Sequence, residues 1–181
     1  MSNFEVVIPW LLYQEDSKRI PGEIVNLGDG EGQTRLGITS KVFGSIMPND
    51  FFTTMTVTNA IQAAKTLYQT EYWHHLNGDK ILHDEVAAPL LSFAVNKNIP
   101  VAVKALQRAL GVLPDGVLGL VTIAELNQKD PVAVTKLFRS EWEDFYRTDV
   151  SMNPSRQRFL DGWIARVNFP YPSPLVPKIY A

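Results

Sequence analysis

The chain has 181 residues, 45% of them hydrophobic and 20% charged, which is enough for a real core and excludes a disordered polyelectrolyte. A formal net charge of −2 and a pI near 5.9 give no broad basic footprint for nucleic acid or anionic lipid. No cysteine is present, so disulfides, thiolate metal sites and cysteine nucleophiles are excluded.

Asn3 to Gln14 carries Phe4, Val7, Ile8, Leu11 and Leu12 at mixed three- and four-residue spacing, which predicts a buried helix. Pro9 interrupts it. An interior helical proline costs about 3 kcal/mol outside the first turn, so the helix is expected to begin near Pro9 or bend there. The apolar run Val6 to Tyr13 lacks a basic flank and a small-residue cleavage site, so neither a secretory signal nor a membrane span is expected. From Ile20 to Ile38, glycines, a proline and short β-branched pieces predict a loop with a small β-hairpin.

The pattern then turns helical. Thr58 is placed to cap a helix carrying Ile61, Ala64, Leu67 and Tyr68 that runs into Tyr72-Trp73, and Asp84 to cap a second carrying Val86, Leu90, Phe93 and Ala94. Pro100 suits the first turn of a third, with Gly111 as its stop. A glycine turn at Asp115 to Thr122 feeds a short helix through Leu126, and Asp130-Pro131 opens a long amphipathic one with Val134, Phe138, Trp142 and Tyr146. A last helix carries Phe159, Trp163, Ile164 and Val167, and the four prolines between Phe169 and Pro177 predict an extended tail. With no repeat and no low-complexity linker, the expected fold is mainly α with a small β-hairpin near the N-terminus.

Glu15 closes the first apolar helix and precedes the polar run Gly28 to Thr39. Glycoside hydrolysis needs a carboxylic acid held protonated beside groups that position water or steady an oxocarbenium-like transition state, and this contrast of surroundings suits it. Helix-end glutamates are nonetheless commonly just solvated.

The ordered set of Glu15, Asp29 to Ile38, Tyr72-Trp73, Ala94-Val95-Asn96, Leu106 to Gly111, Asp115 to Thr122 and Gly162-Trp163-x-x-Arg166-Val167 resembles the glycoside hydrolase family 108 N-acetylmuramidases. These are phage and bacterial endolysins with a lysozyme-like fold. The resemblance implies a lysozyme-like catalytic part over residues 1–90 and a helical peptidoglycan-binding-like subdomain over 91–181, packed as one unit. It departs from the family pattern at Glu15-Asp16-Ser17, where Glu-Gly-Gly is usual, and at Asp29-Gly30-Glu31-Gly32, where Asp-Pro-Gly-Gly is usual, with a longer loop between.

The resemblance implies a peptidoglycan hydrolase cutting the β-1,4 bond between N-acetylmuramic acid and N-acetylglucosamine. Glu15 would be the general acid, its carboxyl partly desolvated and its pKa raised toward neutral. Asp29 would orient water or stabilise the anomeric cation, with Thr34 holding that water; Glu31 is a further carboxylate within reach. Inversion is the expected stereochemical outcome by analogy with phage-type lysozymes. Tyr72 and Trp73 would stack on sugar faces and Asn96 would bond an N-acetyl group, although aromatics at helix ends are more often core. His74, His75 and His83 do not make a metal-ligand spacing, and Asp115-Gly116-x-x-Gly119 lacks the oxygen ladder of a calcium loop. Core packing and an ion pair are the ordinary roles for Trp163 and Arg166.

The expected partner is the peptidoglycan glycan strand, met by a monomer without cofactor, metal, nucleic acid or membrane insertion. Such an enzyme would be made in the cytoplasm and act in the periplasm or wall after release through a holin-type pore or dedicated export. Two other readings are a non-catalytic peptidoglycan-binding module and a structural protein of a phage or secretion device that retains the fold.

Overall fold

The computed structural model describes residues 1–16, 20–26, 28, 30 and 32–181, and is mainly helical. Helix α1, Phe4–Glu15, starts five residues before Pro9 and continues through it, so the helix does not begin at the proline. Two features offset the missing backbone donor. Asn3 caps the helix by accepting the Glu5 amide at 2.9 Å, and Phe4, Val7, Ile8, Trp10, Leu11 and Leu12 are buried over more than half of its circumference.

A three-stranded antiparallel sheet follows: β1 Val25–Asn26, β2 Gln33–Arg35 and β3 Ile38–Thr39, in that order. The expected hairpin is thus extended by one strand. Arg35 pairs with Ile38 across a two-residue turn in which both Leu36 (φ +52) and Gly37 (φ +77) are left-handed, the backbone of a type I′ turn. The short helix α2, Ser40–Phe43, leaves the sheet directly.

Helix α3, Val57–Tyr68, is capped by Thr56 rather than Thr58; the Thr56 hydroxyl accepts the Asn59 amide at 3.4 Å, and Thr58 falls inside the first turn. It runs into a π-helical turn, Gln69–Trp73. Helix α4, Asp84–Asn96, has nine consecutive buried residues, Val86 to Ala94, because α1, α5 and α7 all pack against it. Residues 90 and 91 lie within it. Asp84 is its first residue, and its carboxylate accepts the Asn3 amide at 3.1 Å, linking the starts of α1 and α4.

Helices α5 (Ile99–Leu110), α6 (Leu120–Gln128), α7 (Pro131–Met152) and α8 (Gln157–Asn168) complete the bundle. Gly111 ends α5 in a left-handed conformation (φ +73), and Asp130 caps α7 by accepting the Val132 amide at 3.1 Å. The proline-rich tail does not stand free. Trp10 Nε1 donates to the Pro170 carbonyl at 2.6 Å, Tyr171 meets the Trp10 ring edge-on, and the closing 3-10 turn Lys178–Tyr180 packs on α1 with Tyr180 buried. Among the described residues, no helix is long and apolar enough to cross a membrane.

Candidate active site

Glu15 is the last residue of α1, so the helix that buries six apolar side chains also fixes where its carboxyl emerges. The side chain is only 10% exposed, yet it is not alone: Oε1 accepts a hydrogen bond from Arg166 Nη1 on α8, whose side chain is 15% exposed. Arg166 Nη1 also reaches the buried Ser92 hydroxyl of α4 at 3.4 Å. Burial works against the Arg166 charge, but Glu15, through its charge and hydrogen bond, and then Tyr146 and Tyr68 hold the guanidinium above its ordinary pKa. The sequence places Glu15 between an apolar helix and a polar turn; in the fold a buried countercharge, Arg166, also shares its site.

The β2–β3 turn closes over the same carboxyl. A Cβ on Gly37 would lie 2.6 Å from Glu15 Cβ, 2.8 Å from Tyr68 Oη and 3.0 Å from Glu15 Oε2, so only glycine permits this approach. Tyr68 Oη donates to the Leu36 carbonyl at 2.8 Å and pins the turn to α3. The Tyr68 pKa is pushed well up, first by burial and next by the Glu15 charge. Oε1 of Glu15 is therefore committed to Arg166, while Oε2 lies beside Gly37.

Glu15, Asp16, Glu23, Val25, Thr34, Leu36 and Gly37 line one cleft of about 140 Å³. The structure thus brings Thr34 to Glu15, as expected from the sequence, because β2 places it on the strand facing the end of α1. Glu23 is a second carboxylate in that wall that sequence reasoning passed over; its only signal was a position in the Pro21-Gly22-Glu23 turn. Asp29 and Glu31 lie outside the described residues.

Asp16, where glycine is usual in the resembling family, is buried. Its Oδ2 accepts the Gly22 amide at 2.6 Å and the Tyr180 hydroxyl at 2.7 Å, tying the cleft loop and the C-terminal turn to the end of α1. From the other side, buried Arg35 donates to the carbonyls of Gly22 at 2.7 Å and Phe51 at 2.8 Å. Its pKa is lowered by burial, with Asp16 and Asp50 working against that shift.

The three expected sugar-binding residues part company. Tyr72 is half-buried and near enough to Glu15 that burial first, and then the Glu15 charge, raise its pKa. Trp73 is 1% exposed, packed edge-on to Phe4 and against Gly78, with Nε1 donating to Asp79 at 2.8 Å. It has no free face for a sugar, so the stacking assignment for Trp73 is corrected to core packing. Asn96 Oδ1 accepts the Tyr146 hydroxyl at 2.6 Å, and Tyr146 stacks on Trp163 at 4.8 Å. Asn96 thereby belongs to the α4–α7–α8 junction that carries Arg166. The Asp115 loop is a structural turn: Gln107 donates to Asp115 at 2.7 Å and accepts the Gly116 amide at 2.8 Å.

Comparison with known proteins agrees with this layout. The family model described as "Glycosyl hydrolase 108" matches residues 22–97, and "Predicted Peptidoglycan domain" matches residues 101–168. No curated protein sequence matches the chain. Among solved structures, SagA of Brucella abortus superposes with a TM-score of 0.68 at 24% identity, over 91% of this chain and 88% of that one, which shows a shared fold. The two family matches, in that order along one chain, agree with the resemblance carried by the sequence motifs and support a peptidoglycan-acting protein.

Proposed function

We propose that the chain is a muramidase that hydrolyses the β-1,4 bond between N-acetylmuramic acid and N-acetylglucosamine, with Glu15 as general acid. The observation that carries this reading is the confinement of the Glu15 carboxyl between Arg166 and Gly37 at the wall of the Thr34 cleft. Arg166 holds Oε1 and so sets the direction of Oε2, the oxygen from which a proton can pass to the leaving glycosidic oxygen. Water attacks the anomeric carbon from the opposite face, positioned by the Thr34 hydroxyl and deprotonated by a second carboxylate, the role assigned to Asp29. Tyr72, beside Glu15, offers a ring edge to the bound sugar, and the helical second half holds the polymer.

Glu15→Gln keeps the shape and hydrogen-bonding capacity of the side chain but cannot act as the acid. The folded variant is expected to release reducing ends from purified sacculi at least 100-fold more slowly, on the scale of general acid–base catalysis of ~10²–10⁴. A wild-type rate in that variant rejects the mechanism. Mass spectrometry of wild-type digests is expected to show muramic acid at the new reducing ends; sedimentation with sacculi and no bond cleavage would instead select a binding module.

A further inference from the structure

A second chamber of about 240 Å³ opens next to the Glu15–Arg166 pair, lined by Gln14, Gly162, Ala165, Arg166 and Phe169. Gln14, 8% exposed, is buried in its wall, and among the described residues neither its Nε2 nor its Oε1 has a hydrogen-bond partner. A buried primary amide with donor and acceptor both idle is uncommon in a folded protein. Arg166 is similarly half-used: both of its hydrogen bonds, to Glu15 and Ser92, leave from Nη1. Among the described residues, Nε and Nη2 have no acceptor. These two nitrogens form the side-on fork that takes a carboxylate through two parallel bonds.

The space in front of these groups exists because α8 presents Gly162 and Ala165 there. A Cβ on Gly162 would meet nothing within 4 Å, and Ala165 is exposed, so neither small side chain is demanded by packing. We infer that this chamber is a second binding site that takes a carboxylate with an adjoining amide: the stem peptide carried by the muramic acid residue. The carboxylate lies on the Arg166 fork, and a peptide amide pairs with Gln14. The inference rests on the muramidase reading, since the glycan strand in the Glu15 cleft delivers the peptide-bearing sugar to the neighbouring chamber. Arg166 would then serve both sites, steadying the acid with Nη1 and reading the peptide with Nε and Nη2.

The test titrates the wild-type protein, by calorimetry or amide chemical shifts, with three probes. They are N-acetylmuramic acid, the same sugar bearing an alanyl-isoglutamine dipeptide with a free carboxylate, and the methyl ester of that compound. None has a bond the enzyme cuts, so the result is independent of hydrolysis, and loss of sacculus cleavage alone would sink only the muramidase reading. Wild type is expected to bind the free-carboxylate dipeptide at least ten-fold more tightly than either other probe. Gly162→Leu, which fills the chamber from a helical position open to a side chain, and Gln14→Leu are each expected to cut that preference to within two-fold without lowering Tm. Equal binding of the three probes by wild type overturns the inference. So does a ten-fold preference that survives Gly162→Leu, or a uniform loss of all three probes in that variant.

Discussion

Arg166 and Glu15, 151 residues apart in the chain, meet as a buried ion pair that joins the end of the first helix to the last. Glu15 is therefore held by a residue from the part of the chain that matches the peptidoglycan domain.

Removing one partner of such a pair leaves a buried charge with nothing opposite it. Arg166→Met is expected to cost about 3–5 kcal/mol in urea unfolding. The double variant Glu15→Gln with Arg166→Met is expected to recover much of that loss, because both charges are then gone. Equal stability of Arg166→Met and wild type would show that the pair contributes nothing.

Gly37 faces the acid with no room for a methyl group. Gly37→Ala combines a left-handed backbone with overlap onto Glu15 Cβ and Tyr68 Oη, and is expected to destabilise by about 2–3 kcal/mol. It should also displace Glu15, so that kcat on sacculi falls at least ten-fold under conditions where the variant remains folded. Full activity in folded Gly37→Ala would mean the turn is free to move away.

The C-terminal turn is predicted to matter at a distance in sequence. Tyr180→Phe removes one hydrogen bond to the buried Asp16 carboxylate, at an expected cost of about 1.5–3 kcal/mol. Asp16 also carries the Gly22 amide of the cleft loop, so the same variant should lower kcat more than it raises KM. Thermal unfolding and steady-state kinetics with soluble glycan read the two effects separately.

Alkaline pH should unfold the protein through its buried phenols. Burial, the leading cause in both, raises the pKa of Tyr68 and of Tyr146 above the ordinary value of 10.0, so the neutral form is favoured when folded. Their contribution is fully present below pH 10.0 and is lost as pH rises through the folded values. Each phenol then removes up to about 1.4 kcal/mol per pH unit above 10. Urea midpoints at pH 8 and pH 11 test this, and Tyr146→Phe should flatten the difference; a midpoint constant across that range would refute it.

The neighbouring aromatics Tyr72 and Trp73 should separate in mutagenesis. Tyr72→Ala is expected to raise KM for glycan about 3–10-fold with a modest loss of stability, in keeping with ~0.5–1.5 kcal/mol for an aromatic contact. Trp73→Ala, at a core position, is expected to cost ~3–5 kcal/mol of stability with KM unchanged in the folded protein.

Much of this fold was legible in the residues. Capping and breaking chemistry is local, so Pro100 and Gly111 bracketed α5 and Asp130-Pro131 opened α7 where expected. Local rules missed where tertiary burial outweighed them: α1 passes through Pro9 because more than half of its circumference is packed, and Thr56 rather than Thr58 caps α3 by a shift of two residues that periodicity does not register. The third strand escaped notice because strands of two or three residues carry almost no periodic signal.

For the site, the order of residues along the chain carried the family resemblance and the expectation that Glu15 and Thr34 belong together, and both line one cleft. Partnership was another matter. That Arg166 holds Glu15, that Asp16 ties Gly22 to Tyr180, that Glu23 enters the cleft and that Trp73 turns inward all depend on which surfaces meet after folding. Such pairings join residues up to 164 positions apart, and no spacing rule encodes them. The chemistry of a carboxyl group is set by the charges and dipoles within a few ångströms, and only the packed chain brings those neighbours together.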